Sequence, residues 1–396
     1  MALSLALIIL LGLLFNKTFD RLYLPGLLGM LTLGILIGPH SLNLIDEDLL
    51  AISSELRKIA LIIILLRAGL SLNKQDLKKV GGPAIKMSFF PVLLEGFVIT
   101  AVASLILDMS MLQAAILGFI IAAVSPAVIV PEMLDLKEKK LGEKKGIPTL
   151  ILAAASVDDV FAITLFTTFL GLYGGGDIYL ARQLFNIPVS ILLGIVLGAA
   201  IGMLLIYIFK KYPMRDTEKV LVLLGAAIIL AGTEDLLQEI VPIAALLGVM
   251  MTGFILLEKY PKIANRIGSK FNKIWVFAQL LLFVLVGAEV NVSTAIASGL
   301  VGLIIIIAGL LARSIGVLIA LQGTSLNRKE KLFCILSFLP KATVQAAIGA
   351  IPMSLGIPNG ESMLAIAVLA IIITAPLGSL GIKITRERWL TVDDIQ

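Results

Sequence analysis

Long, continuously apolar runs separated by short polar stretches dominate the chain. They fall at residues 1–15, 24–39, 56–71, 82–107, 112–134, 146–172, 183–209, 218–233, 241–257, 273–288, 294–321, 331–352 and 361–381. Most have the length that a helix needs to cross a hydrocarbon layer, about 20 residues at 1.5 Å each. None shows the period-2 alternation of an outer-membrane barrel strand, so helices are predicted throughout. Two runs are interrupted at mid-depth by proline. The fifth carries Val124-Ser125-Pro126-Ala127-Val128-Ile129-Val130-Pro131, and the twelfth carries Leu339-Pro340-Lys341-Ala342-Thr343-Val344. Proline removes a backbone donor and frees a carbonyl, so both runs are expected to be broken helices whose half-helix ends can face a charge.

Composition agrees with the pattern. Of 396 residues, 59% are hydrophobic and only 15% charged, against about 25% charged in a soluble domain. Mean hydropathy is +1.05. An integral membrane protein of thirteen helices leaves about ten residues per connection, which excludes any sizeable extramembrane domain. The net charge of +5 therefore reads as a topology signal, and no nucleic-acid partner is expected.

Lys17 and Arg21 follow the first run, Lys74, Lys78 and Lys79 the third, and Lys137, Lys139, Lys140, Lys144 and Lys145 the fifth. Every later odd-numbered run also has a basic exit, down to Lys383, Arg386 and Arg388 at the end. Even-numbered connections are acidic, with Asp46, Glu47, Asp48, Glu234, Asp235 and Glu239, and their only basic residues are Arg57, Lys58 and Arg182. The positive-inside rule then places the N-terminus outside and the C-terminus in the cytoplasm of a plasma (inner) membrane. The first run has no preceding basic residue, so a retained span is expected rather than a cleaved signal peptide. Thirteen spans divide as six, one and six. With the broken runs at corresponding places, this is the arithmetic of an inverted repeat about a linker helix.

After the connections are assigned, Arg67, Lys86, Arg313 and Lys341 are left inside runs, together with Glu95, Asp158 and Asp159. An ionisable side chain at membrane depth costs roughly 2.5 to 3.5 kcal/mol on insertion scales and marks function by default. Asp158 and Asp159 are adjacent, so on a helix one faces a cavity while the other faces a neighbouring helix. Such a pair suits exchange of a proton for a cation. Glu95 and Arg313 lie in repeat-related runs, and a salt bridge is the simplest way to tolerate both. Lys341 follows the break in run twelve, where pairing with an aspartate is expected. Arg67 and Lys86 lie nearer the cytoplasmic ends, where snorkelling competes with a buried role. Glu132 and Glu289 are placed at interfaces, His40 in a solvated turn, Cys334 in apolar packing, and Gly174-Gly175-Gly176 in an outer loop.

One cysteine and one histidine exclude disulfide frameworks and multi-His or multi-Cys metal sites. Walker, G-x-S-x-G and H-E-x-x-H motifs are absent, so neither ATP hydrolysis nor any other enzyme activity is expected. No cofactor is called for. A channel using the same acids is disfavoured, because no carbonyl filter or acidic ring is present. An intramembrane aspartyl protease would draw its acids from different spans and carry Gly-x-Gly-Asp, and a sensor or scaffold would need an output domain.

The stretch from Ser125 to Leu134, then Lys-Gly-Ile-Pro-Thr-Leu at 145–150, Ala-Ala-Ala-Ser-Val-Asp-Asp-Val-Phe-Ala-Ile-Thr at 153–164 and Leu-Pro-Lys-Ala-Thr-Val-Gln-Ala-Ala-Ile-Gly at 339–349, resembles the NHA branch of the sodium/proton antiporters, in the cation:proton antiporter superfamily. The resemblance implies an all-α, NhaA-like antiporter fold, homodimeric in the bilayer, with a mobile core sliding as an elevator against a dimerisation domain. On it, dimerisation helices occupy 1–81 and 218–293, core helices 82–172 and 294–383, the linker helix 173–217 and a cytoplasmic tail 384–396. It implies a cation and proton site at Asp158, Asp159 and Ser125, with Asp159 the main ligand of transported Na⁺ or Li⁺. It further implies a charged network of Glu95, Arg313, Lys341 and Arg67, and crossing broken helices marked by Pro126, Pro131, Pro340, Thr343 and Gln345. K⁺/H⁺ exchange is the alternative cargo. Many electrogenic relatives have lysine where Arg313 stands, so electroneutral exchange is expected here.

Overall fold

A computed structural model of the chain describes residues 1–22, 26–72, 74–174, 180–237 and 243–390. Among the described residues each predicted run overlaps one or more helices, and no strand occurs. In chain order the helices are α1 (Ala2–Arg21), α2 (Gly26–Ile37), α3 (Glu47–Ala51), α4 (Ser53–Gly69), α5 (Lys74–Ile106), α6 (Met111–Ala122), α7 (Pro126–Glu138), α8 (Ile147–Tyr173) and α9 (Leu180–Lys211). There follow α10 (Asp216–Leu237), α11 (Ala245–Lys259), α12 (Pro261–Ala288), α13 (Val292–Ala320), α14 (Arg328–Ser337), α15 (Thr343–Ile348), α16 (Ile351–Ser354) and α17 (Gly360–Trp389). Eight stretches of the described residues are long and apolar enough to cross a membrane, Met111–Glu138 among them.

Several helices outrun the apolar segments that announce them. α12 begins at Pro261 rather than near 273, because its first half is amphipathic. Ile263, Ala264, Ile267 and Phe271 are buried while Lys262, Asn265 and Arg266 are exposed, a 3.6-residue period that a search for continuous apolar runs passes over. α5 begins at Lys74, so the expected domain boundary between 81 and 82 falls inside one helix. α17 continues to Trp389, turning the first residues of the expected tail into helix. The run at 294–321 is two helices joined at Gly299, whose φ of 51° and ψ of −142° belong to a region open to glycine alone. Gly175, Gly176 and Glu239 lie outside the described residues.

Both broken runs start alike. Ser110 and Gln113 form a reciprocal capping box at the start of α6, and Asn327 and Glu330 form one at the start of α14, so each half-helix has its first N–H groups satisfied.

Helices α6, α8 and α13 pack around α5, α17 lies on α13 and α14, and α7 on α8. In a second set of contacts α2 and α4 pack on α12, α4 and α9 on α11, and α1 on α2. Small residues let these backbones meet: a Cβ on Gly198 of α9 would lie 2.2 Å from the carbonyl oxygen of Gly248 in α11. The first set of helices carries the polar centre.

Candidate functional site

The centre of the molecule is made by two chain breaks that cross. α6 stops at Ala122, the backbone is extended at Ala123 and Ser125, and Pro126 opens α7 at a first-turn position where its missing N–H costs nothing. α14 stops at Ser337, and Pro340, Lys341 and Ala342 lead into α15. The Ser125 N–H donates to the Pro340 carbonyl at 2.9 Å, and the Ser125 and Thr343 hydroxyls lie 3.3 Å apart. The Lys341 N–H donates to Thr374 Oγ1 of α17 at 2.9 Å. Pro131 lies inside α7 and is not part of the break.

A helix ends with carbonyls that have no partner within the helix, and at this depth no bulk water meets them. Side chains from the second half of the chain do so. Gln345 Nε2 donates to the carbonyls of Ile120, Ile121 and Ala123 at 3.1, 3.2 and 2.9 Å. Arg313 Nη1 donates to Ala122 O, and Arg313 Nε to Phe338 O at the end of α14, both at 2.5 Å. One guanidinium thereby serves the negative ends of both half-helices.

The same side chains carry the charged cluster. Arg313 Nη1 contacts Glu95 Oε2 at 2.6 Å, Arg313 Nη2 contacts Asp158 Oδ1 at 2.8 Å, and Lys341 Nζ contacts Glu95 Oε2 at 2.7 Å. Glu95, Asp158, Arg313 and Lys341 are each fully buried. α5 supplies Glu95, α8 Asp158 and α13 Arg313, the three mutually packed helices of the fold. Asp158 Oδ2 also accepts the Val124 N–H at 2.9 Å. Asp159, the next residue, points elsewhere, as the 100° offset of helical neighbours requires. Its Oδ1 is buried with no hydrogen-bond donor.

The structure thus brings together Glu95, Asp158, Arg313, Lys341, Ser125, Thr343, Gln345 and Pro340. Lys341 is paired with Glu95, not with an aspartate. Arg67 stands apart from this cluster: its Nε donates to Asn272 of α12, and its Nη2 lies 3.5 Å from Glu138 at the end of α7. Depth explains the difference, since Arg67 is in the last turn of α4, where a cleft of about 330 Å³ opens between α4, α7 and α12. Lys86 is exposed on α5, His40 is exposed in a turn, and Cys334 is buried.

Two features were not expected from sequence. Thr374, in the middle of an apolar run, anchors the second break. Arg57 makes a bidentate pair with Glu289 at 2.5 and 2.9 Å; its isolation in an acidic connection was the available signal. Among the described residues no group of three or more His, Cys, Asp or Glu side chains is placed to hold a metal. The crossing offers oxygen ligands, carboxylate and hydroxyl, which suit a hard cation held weakly enough to leave.

A family model described as "Sodium/hydrogen exchanger, transmembrane" matches residues 5–387. Human sodium/hydrogen exchanger 9B2 is 35% identical over 386 residues, spanning 93% of this chain and 70% of that protein. Human sodium/hydrogen exchanger 9B1 is 34% identical, spanning 93% and 73%. The structure of the sodium proton antiporter MjNhaP1 from Methanocaldococcus jannaschii superposes with a TM-score of 0.77 over 97% of both chains at 22% identity, a likeness of fold.

Proposed function

The chain belongs to the sodium/hydrogen exchanger family, and we propose that it is a Na⁺/H⁺ antiporter whose one site, centred on Asp159, is occupied alternately by a cation and a proton. It is a multi-pass membrane protein of a family of transporters, and the reading needs no cofactor. The observation that carries the assignment is the contrast between neighbouring acids. Both oxygens of Asp158 are engaged, by Arg313 and by the Val124 N–H, whereas Asp159 presents a buried oxygen that accepts no hydrogen bond; Glu95 Oε1 is likewise unpartnered, but the other oxygen of Glu95 holds both Arg313 and Lys341. An oxygen of this kind is costly unless a proton or cation joins it. Two ligands competing for one carboxylate is the chemistry of exchange: Na⁺ binding expels the proton, and protonation expels Na⁺. Li⁺ meets the same oxygen ligands.

In our reading the runs form thirteen spans in a six-plus-six inverted repeat, with the N-terminus outside and the C-terminus in the cytoplasm of the plasma membrane. Helices α5 to α8 and α13 to α17 form the moving body. α1, α2, α4 and α10 to α12 form the scaffold, α9 links the halves, and a homodimer forms through the scaffold. The two sets of packing contacts support this division. Movement of the first body past the second then carries the site across the membrane as an elevator.

Reconstituted into liposomes with an imposed pH gradient, the wild-type chain accumulates Na⁺ against its gradient, which a channel cannot do. Asp159→Asn keeps the side chain's shape and removes its charge, so cation-dependent proton movement is lost. Normal exchange by correctly folded Asp159→Asn would refute the assignment.

A further inference from the structure

At the end of a half-helix, carbonyl oxygens without partners are themselves a cation site, and transporters use them as such. Four carbonyls at the end of α6 are taken. Ala122 O takes Arg313 and, at 3.5 Å, Lys341 Nζ, and the carbonyls of Ile120, Ile121 and Ala123 all take the same nitrogen of Gln345. Gln345 is the third residue of α15, 1% exposed. A glutamine there ordinarily reaches back to its own helix's cap. Here it crosses to the other half-helix. Its orientation is fixed by the surroundings, because a flipped carboxamide would set its oxygen against three carbonyl oxygens. The other end is built differently: at the end of α14, Phe338 O is met by Arg313.

We propose that Gln345 is a positioning residue for cation selection, occupying the carbonyl oxygens of Ile120, Ile121 and Ala123 so that these are withheld from the transported cation. A neutral donor is suited to this. A lysine or arginine at 345 would add a charge to the cluster, and a hydrocarbon would release three carbonyls. The Ala123 carbonyl is one residue from Val124, whose N–H holds Asp158, and two from Ser125. Gln345 therefore also fixes the segment on which the ligands stand. The proposal rests on the antiport reading above.

Gln345→Met keeps the length and removes the donor, and Gln345→Glu keeps the length and donates only when protonated. In proteoliposomes we expect Gln345→Met to change the ratios of apparent KM among Li⁺, Na⁺ and K⁺ by about threefold or more. We expect Gln345→Glu to resemble wild type at the acid end of the pH profile. As pH rises and the new carboxylate ionises against the carbonyls, it loses cation selectivity. A purely structural role would lower thermal stability in detergent and leave these ratios and the alkaline limb in place. If Gln345→Met does not survive extraction, the ratios are read on Gln345→Asn, whose carboxamide is one methylene short. Wild-type ratios and pH profile in folded variants overturn the proposal while wild-type exchange stands. Absence of Na⁺/H⁺ exchange in the wild-type chain overturns the antiport reading itself.

Discussion

Arg313 divides one guanidinium among Glu95, Asp158, Ala122 O and Phe338 O, and its removal would take the paired cation from Asp158 and the donor from Phe338 O while leaving Glu95 and Ala122 O to Lys341. Replacing one partner of a buried pair costs about 3 to 5 kcal/mol, mostly because the other charge is left unpaired. We therefore expect Arg313→Gln to cost more stability than Glu95→Gln, after which Lys341 and Arg313 both lose a partner. The double variant should be milder than the sum, because each change relieves part of the other's penalty. Thermal unfolding in detergent checks this, and strict additivity would argue against coupling. The identities of these residues were legible in the sequence, since charges in apolar runs stand out by subtraction. Their partners were legible only in part. Position along a span gives depth, which suggested the Glu95–Arg313 pair, but it gives no azimuth. Lys341 thus met Glu95 rather than an aspartate, and Arg67, in the last turn of its helix, met Glu138 and Asn272.

At the scale of elements, proline marked both breaks correctly and one of them too broadly. Pro126 and Pro340 stand at the breaks, whereas Pro131 is carried inside α7. What proline could not announce is how the breaks are held together, because the Ser125–Pro340 and Gln345–α6 contacts join residues over two hundred positions apart. Helix pairing was equally hidden. α9 reads as a plain linker, yet Gly194 and Gly198 bring it against Ala244 and Gly248 of α11. A leucine at Gly198 has to push backbone away from backbone, a clash no rotamer relieves, and overpacking costs about 1 to 3 kcal/mol. We expect Gly198→Leu to lower the detergent Tm by several degrees and to leave the apparent KM for Na⁺ of the surviving protein unchanged, since α9 and α11 lie outside the charged cluster. An altered KM with an unaltered Tm would contradict that separation.

For the molecule as a whole, the decisive quantity in the proposed cycle is the charge of the site. Glu95, Asp158 and Asp159 oppose Arg313 and Lys341, so the cluster carries one net negative charge when all five are ionised. One Na⁺ or one H⁺ would neutralise it, and in the proposed elevator cycle either loaded form would cross the low-dielectric layer at no net electrostatic cost. A second proton needs a base that can lose and regain it. Arginine cannot, because its pKa stays above about 12. Lysine can in principle, and Lys341 is the lysine of this cluster. Its ammonium is held by Glu95 Oε2 at 2.7 Å, fully buried, while Asp159 Oδ1 and Glu95 Oε1 are buried without a hydrogen-bond partner, so in the proposed cycle Na⁺ at Asp159 leaves the lysine's counter-ion in place. We expect one-for-one, electroneutral exchange. A two-for-one cycle would move one charge, worth roughly 2.3 kcal/mol per 100 mV, and its rate would follow the membrane potential. In liposomes clamped with K⁺ and valinomycin, the steady Na⁺/H⁺ exchange rate should stay the same at 0 and −100 mV, values chosen for that sensitivity. A rate that rises with potential, or a sustained Na⁺-driven current beyond the binding transient, would show that Lys341 releases its proton during the cycle despite Glu95.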